Sequence, residues 1–141
     1  MYRQKDGFKV LLKQGSIGAT LLWVGDEAEG EEVDEDGLVK LFVPAVKFSD
    51  HPGTSLVDTT GAGDTFTAAF AVALSEVKAK KASEDIAVTN DEYKSCIKFA
   101  NQAAFLAITR PGAMASIPNR TELETLQAEE PSETTDPVAA E

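Results

Sequence analysis

Residues 58–64 read Asp-Thr-Thr-Gly-Ala-Gly-Asp and run straight into an apolar-periodic segment, Thr65 to Val77. That order places a glycine-rich turn, and then a carboxylate, at the mouth of a helix. A helix mouth offers backbone N–H groups that lack intrahelical partners and carries partial positive charge, so it suits a phosphate. An Asp placed there stands close to any phosphate held in the turn. A cradle for a transferring phosphoryl group and a base for the acceptor hydroxyl are the two parts that phosphoryl transfer needs. The chain contains neither Gly-x-x-x-x-Gly-Lys-[Ser/Thr] nor Gly-x-Gly-x-x-Gly here, so this is not a P-loop or a dinucleotide fingerprint. On spacing alone, a structural turn capped by Asp64 accounts for the pattern equally well.

The elements that must position this turn are legible in outline. Phe8 to Gln14 reads as a strand, Gly15-Ser-Ile-Gly18 as a turn and Ala19 to Val24 as a second strand, which together predict a hairpin. The acidic stretch 25–37 reads as a loop, and Leu38 to Val43 as a third strand stopped by Pro44. Ala45 to Leu56 reads as loop, with an extended piece near Val46–Phe48. Phe66, Phe70, Leu74 and Val77 recur at helical spacing and predict one buried stripe after Asp64. Residues 78–90 are polar and aperiodic and read as a surface insertion. Tyr93, Ile97, Ala100 and Ala104 mark a second helix over 91–108, ended by Arg110-Pro111-Gly112. A short helix is expected over Arg120–Gln127, and residues 131–141 have the composition of a disordered tail. Cys96 is expected in the core and His51, beside Pro52-Gly53, in an exposed loop. Asn119-Arg-Thr121 matches a glycosylation sequon but follows no signal peptide.

Composition narrows the function classes. The chain has 141 residues, 43% of them hydrophobic, enough for one domain with a real core. No apolar run approaches the ~18 residues of a membrane span, the N-terminus has no signal-peptide core, and Cys96 is the single cysteine. A cytoplasmic location is therefore expected. The net charge is −11, yet eight acids lie in residues 26–36 and seven in 121–141. The rest of the chain holds nine acids against thirteen basic residues. Such a body accepts a polyanionic small molecule such as ATP, while the overall charge argues against nucleic acid. The acid runs read as solvated loop and tail rather than metal sites.

Val57-Asp-Thr-Thr-Gly-Ala-Gly-Asp-Thr-Phe-Thr-Ala-Ala-Phe70 resembles the C-terminal signature of the pfkB, or ribokinase-like, carbohydrate kinases. Three further segments follow the family's order. Lys13-Gln-Gly-Ser-Ile-Gly18 resembles its nucleotide-contacting turn, Phe99-Ala-Asn-Gln-Ala-Ala104 its small-residue helix beside the adenine, and Thr109 to Pro118 the segment that closes a monovalent-cation loop. The likeness spans residues 8–124 and is nearest to the ribokinase branch. It implies the C-terminal part of a three-layer α/β/α fold in residues 1–127, followed by an acidic tail over 128–141. The family's N-terminal half, its β-sheet lid and its upstream Asn-x-x-Glu segment find no counterpart. Full-length members with a lid can form homodimers.

The resemblance also implies roles. Asp64 would be the general base that also hydrogen-bonds the sugar hydroxyl. Gly61, Ala62, Gly63 and Asp64 would offer backbone N–H groups as an anion hole. Lys13, Gln14, Gly15, Ser16, Ile17, Gly18 and Asn101 would line the nucleotide pocket. Asp58 and Thr60, with Ala107, Arg110, Gly112 and Ser116, would hold K⁺, and Mg²⁺ would arrive with ATP. The implied reaction is ATP-dependent phosphorylation of a sugar hydroxyl, ribose to ribose 5-phosphate first, with fructose, 2-keto-3-deoxygluconate or a nucleoside as variants. The alternative is a partial nucleotide-binding module without a complete sugar site.

Overall fold

The computed structural model describes residues 8–25, 33–82 and 86–129. Strands β1 (Val10–Lys13), β2 (Gly18–Val24) and β3 (Leu38–Pro44) form an antiparallel sheet in that order. Strand alternation decides which face is buried. Ala19, Leu21 and Trp23 on β2 stand opposite Val43, Leu41 and Val39 on β3, and all six are buried. The other face leaves Val10, Leu12, Val24 and Phe42 exposed.

Two long helices cover the buried face. Helix α1 (Ala62–Lys81) lies along α2 (Asn90–Ile108), and α2 crosses β2 and β3. Phe66 from α1 and Ile97 and Ala100 from α2 complete the core, each large buried side chain contributing about 1.5–3 kcal/mol. Helix α3 (Arg120–Glu129) buries Leu123 and Leu126, and Gln127 Nε2 donates to Gln102 Oε1 of α2 at 2.9 Å. Among the described residues no helix is long and apolar enough to cross a membrane.

Both of the later helices begin with reciprocal caps, each worth about 1 kcal/mol. Thr89 Oγ1 accepts the Glu92 N–H at 3.2 Å, and Glu92 Oε2 accepts the Thr89 N–H at 2.8 Å. Asn119 Oδ1 accepts the Glu122 N–H at 3.0 Å, and Glu122 Oε2 accepts the Asn119 N–H at 2.8 Å. The Asn119 side chain of the apparent sequon is thus the start of α3.

The three strands, two long helices and short last helix fall where the sequence places them, with four differences. Helix α1 runs on to Lys81, into the expected 78–90 insertion; Lys78, Lys80 and Lys81 suit the negative end of its dipole. Of its expected buried stripe only Phe66 is buried, while Phe70, Leu74 and Val77 are half-buried, Phe70 and Leu74 lining a cavity with Leu11 and Leu21 of the sheet. The expected extended piece near Val46–Phe48 ends in a single 3-10 turn, Phe48–Asp50. That turn folds back over α2, and His51, expected in an exposed loop, is 8% exposed with its ring 5.1 Å from Phe105. Cys96 is buried as expected, and burial pushes its thiol pKa up. Residues 26–32 of the acidic loop and 130–141 of the tail lie outside the described residues.

The β1–β2 connection is the tightest point of the fold. Residues Gly15–Ile17 make one 3-10 turn, closed by the Gln14 N–H to Gly18 O at 2.9 Å. Gly18 has φ 137°, and a Cβ there would lie 2.2 Å from Val43 O and 2.8 Å from Pro44 Cα. Both obstacles are backbone and cannot swing away. Gly18→Ala is therefore expected to cost at least about 3 kcal/mol through strain and displacement of β3, read as a fall in the denaturant midpoint; an unchanged midpoint would contradict this packing.

Candidate functional site

The glycine-rich turn is built by three contacts that converge on it. Gly61 caps α1 with φ 77°, and a Cβ there would meet Ala113 Cα at 3.2 Å, so the 110–118 loop presses directly on the turn. Asp58 fixes that loop: one carboxylate oxygen accepts the Gly112 N–H at 2.9 Å and the other the Thr60 N–H at 2.9 Å. The chain entering the turn is held to the end of α2, where Ile108 O accepts the N–H groups of Val57 at 2.8 Å and Asp58 at 3.3 Å. Hydrogen bonds to Thr60 first, and then to the Gly112 N–H, hold the Asp58 carboxyl below its ordinary pKa.

The first turn of α1 divides its donors. The Ala62 N–H turns back to Thr59 O at 3.2 Å, and Thr65 closes the first helical bond to Gly61 O at 2.9 Å. The N–H groups of Gly63 and Asp64 have no acceptor among the described residues. The Asp64 side chain is exposed and likewise makes no hydrogen bond or ion pair with them. Lys13, arriving from β1, donates from Nζ to Gly63 O at 3.0 Å and to Thr67 Oγ1 at 3.1 Å. Thr67 Oγ1 in turn donates to Gly63 O at 2.9 Å.

Two cavities flank this helix end. One, of about 610 Å³, is lined by Lys13, Gly15, Ser16, Gly18, Gly63 and Asn101 among others. Its inner wall is apolar, with Phe48, Leu56, Ala104, Phe105 and Ile108. The other, of about 450 Å³, is lined by Gly61, Asp64 and Thr65, with Arg120 as the only other ionisable lining group among the described residues. The rest of that wall is almost wholly apolar, from Ala68 and Val72 to Met114 and Ile117. A polar mouth with an apolar interior fits a phosphorylated base on the first side, and a lone carboxylate marks the second.

The residues singled out from the sequence distribute as follows. Lys13, Gly15, Ser16, Gly18, Ala62, Gly63 and Asn101 come together around the larger cavity. Gln14 and Ile17 do not line it: Gln14 Oε1 accepts the Thr20 hydroxyl at 2.7 Å, and Ile17 is exposed. Asn101 also clamps the fold, since its Nδ2 donates to Pro44 O at 2.9 Å. Asp58, Thr60 and Gly112 form one cluster; Ala107 is buried in α2, and Ser116 is buried with its hydroxyl on Ala113 O at 2.9 Å. The Arg110 side chain is drawn away to Glu122 at 2.7 Å. No group of three His, Cys, Asp or Glu able to hold a metal occurs among the described residues. Sequence reasoning missed Thr67, whose i+4 spacing from Gly63 was available, and the Phe48 and Leu56 wall, for which loop composition gave no signal.

This arrangement of strands and helices, with a helix mouth set between two cavities, is that of part of an α/β ribokinase-like fold. The family model described as pfkB family carbohydrate kinase matches residues 40–120, more than half of the chain, and the chain belongs to that family. It is 36% identical over 112 residues to a ribokinase of Arabidopsis thaliana, covering 79% of this chain and 22% of that protein. It is 46% identical over 70 residues to a ribokinase of Bacillus subtilis, covering 50% of this chain and 20% of that one. The solved structure of Arabidopsis thaliana ribokinase complexed with ribose and ATP superposes with a TM-score of 0.55 at 34% identity, covering 84% of this chain and 28% of that one. The chain spans about a fifth of the length of the curated relatives it matches.

The Asp58 clip carries a pH signature. Its folded pKa lies below the value of about 3.9 of an unfolded Asp. Its stabilisation is thus fully present above pH ~4 and is lost as pH falls through the lowered folded value. Asp58→Asn is expected to be less stable than the parent at pH 7, with the gap closing below pH ~4. Denaturant melts from pH 7 to 3 check this; a gap that stays constant would show that the carboxylate charge plays no part.

Proposed function

We propose that this chain carries the nucleotide-binding and catalytic portion, residues 1–127, of an ATP-dependent sugar kinase. The reaction is transfer of the γ-phosphoryl group to a primary hydroxyl such as the 5-OH of ribose. One observation carries this reading: the first turn of α1 stands between the two cavities, with Gly63 facing one and Asp64 the other. Nucleotide on the glycine side and acceptor on the carboxylate side would meet at that turn.

In this reading Asp64 takes the proton of the acceptor hydroxyl as its oxygen attacks the γ-phosphorus. The bond to the β–γ bridging oxygen breaks and ADP leaves. The Gly63 and Asp64 N–H groups supply fixed dipoles to the charge on the transferring group, with Gly61 and Ala62 shaping the turn. The apolar wall of Phe48, Leu56 and Ala104 receives the base. The potassium set is Asp58, Thr60, Ala107, Arg110, Gly112 and Ser116. One carboxylate, a hydroxyl and carbonyl oxygens suit a hard monovalent cation. Asp58 fits that task because two N–H bonds leave its carboxylate with lone pairs to spare. Magnesium would enter on the ATP phosphates, which it serves by neutralising charge. A cytoplasmic location agrees with an ATP-consuming activity.

The apolar wall beside Asp64 favours a second reading, a partial module that binds nucleotide without presenting a sugar. Among the described residues a sugar would find only Asp64, Thr65 and Arg120 as polar or charged side chains on that wall. A coupled ATP/ribose assay, with and without K⁺, separates the two. Asp64→Asn is expected to lower kcat by roughly 10²–10⁴-fold while leaving ATP affinity unchanged. Turnover unaffected by Asp64→Asn would sink the catalytic assignment. ATP binding without any turnover would establish the partial module.

A further inference from the structure

Another cavity, of about 710 Å³, opens where the Phe48–Asp50 turn, the end of α2 and α3 meet. Its floor is apolar and includes Pro52, Phe105 and Leu126. Among the described residues its rim carries three carboxylates, Asp50, Glu122 and Glu129, against one guanidinium, Arg110. Arg110 and Glu122 are committed to each other at 2.7 Å. Asp50 accepts the hydroxyl of its neighbour Ser49 at 3.0 Å and has no cation among the described residues. Glu129 has neither a donor nor a cation among them. The rim therefore keeps two negative charges uncompensated. Residues 130–141 continue from Glu129 with four acids and no Lys or Arg, so the adjoining sequence supplies no counter-charge.

His51 calls for the same kind of ligand on separate grounds. The residue is 8% exposed and its ring packs on Phe105, yet the ring makes no hydrogen bond or ion pair among the described residues. Backbone bonds hold it in place: its N–H donates to Phe48 O at 3.1 Å, and its carbonyl accepts the Thr54 N–H at 3.2 Å. A polar ring buried without a partner is costly, so the position asks for one. The ring nitrogens are not sealed. Among the described residues Arg110 Nε is the side-chain atom both fully buried and unpartnered, so those of His51 open onto the cavity it lines.

The hydroxyls of the rim decide the sign of the ligand. Thr54 donates its O–H to His51 O at 2.7 Å, Thr109 to Leu106 O at 2.7 Å and Thr125 to Thr121 O at 2.9 Å. Each has spent its one donor, and what it offers the cavity is lone pairs. A wall of acceptors with surplus negative charge suits a donor-rich cation. No three His, Cys, Asp or Glu are grouped to hold a metal among the described residues, and the apolar floor suits an organic body.

We propose that this cavity binds an organic ammonium ion of the alkylamine class, its charged head held by Asp50 and Glu129, one N–H given to the His51 ring, and its apolar body laid on Phe105 and Leu126. An ammonium has three donors to share among these acceptors. An anion would face two uncompensated carboxylates, and a purely apolar guest would leave His51 unpartnered.

The test is a chemical-shift titration of the full chain with hexylammonium, hexanol and hexanoate at constant pH and KCl concentration. His51 is the single histidine, so its ring signals report on the site without overlap. Hexylammonium is expected to shift the His51 ring and the Phe105 and Leu126 amides saturably, with hexanol and hexanoate roughly tenfold weaker or more. Asp50→Asn combined with Glu129→Gln is expected to weaken hexylammonium by roughly fivefold or more. Glu124→Gln, the same change on α3 outside the cavity, leaves it as in the parent. His51→Phe keeps a ring against Phe105 and is expected to weaken hexylammonium as well, read at the Phe105 and Leu126 amides. The proposal is overturned if the parent shows no saturable shift or if hexanol or hexanoate binds as tightly. It is also overturned if the double variant or a folded His51→Phe binds as the parent does, or if Glu124→Gln weakens binding equally, which would mark diffuse attraction. Both positions of the double variant are exposed, so it decides the matter even where His51→Phe fails to fold. No nucleotide enters the titration, and its outcome is separate from that of the kinase assay.

Discussion

The Asp58 carboxylate joins two segments that are 54 residues apart, and the site depends on that joint. By accepting the N–H groups of Thr60 and Gly112 it sets the glycine turn against the loop that follows α2. Gly61, in a left-handed conformation with Ala113 against it, then fixes the angle at which α1 departs. Everything downstream follows from that angle: Phe66 reaches the sheet, Gly63 faces one cavity and Asp64 the other. A turn held only by its own glycines would be free to wander; held at both ends, it gives the helix mouth one orientation.

The same region collects groups whose individual preferences are not met among the described residues. The Gly63 and Asp64 N–H groups lack acceptors, the Asp64 carboxylate lacks a donor, and Lys13 places positive charge on a positive helix end. Elsewhere the described chain is better satisfied, Arg110 Nε being the buried side-chain atom left without a partner: both later helices are capped reciprocally, and most of the salt bridges tie charges from different elements. Local departures from good bonding in an otherwise consistent structure are what a ligand site requires.

Much of this was legible in the sequence because local rules carried it. The apolar runs Ala19–Val24 and Leu38–Val43 read as strands, and the Gly-Ala-Gly-Asp order located the helix mouth. Thr89-Asn-Asp-Glu92 and Asn119-Arg-Thr-Glu122 were equally readable as caps, and the first would have set the start of α2 correctly. What local rules could not supply was long-range. His51 is buried because a 3-10 turn carries it onto Phe105, 54 residues later. Phe48 and Leu56 became a cavity wall only when their loop folded over α2. The Lys13–Gly63 bond spans 50 residues and has no signature in either segment. Whether Asn101 serves ligand or fold was likewise undecidable until its amide was seen on Pro44 O.

The central claim is that the first turn of α1 is where phosphate binds. Backbone amide chemical shifts during titration with ATP, and separately with adenosine, measure this directly. The account predicts that the Gly63 and Asp64 amides shift strongly with ATP and little with adenosine, while residues of the Phe48, Ala104 and Phe105 wall respond to both. ATP-induced shifts that leave Gly63 and Asp64 unmoved would contradict it.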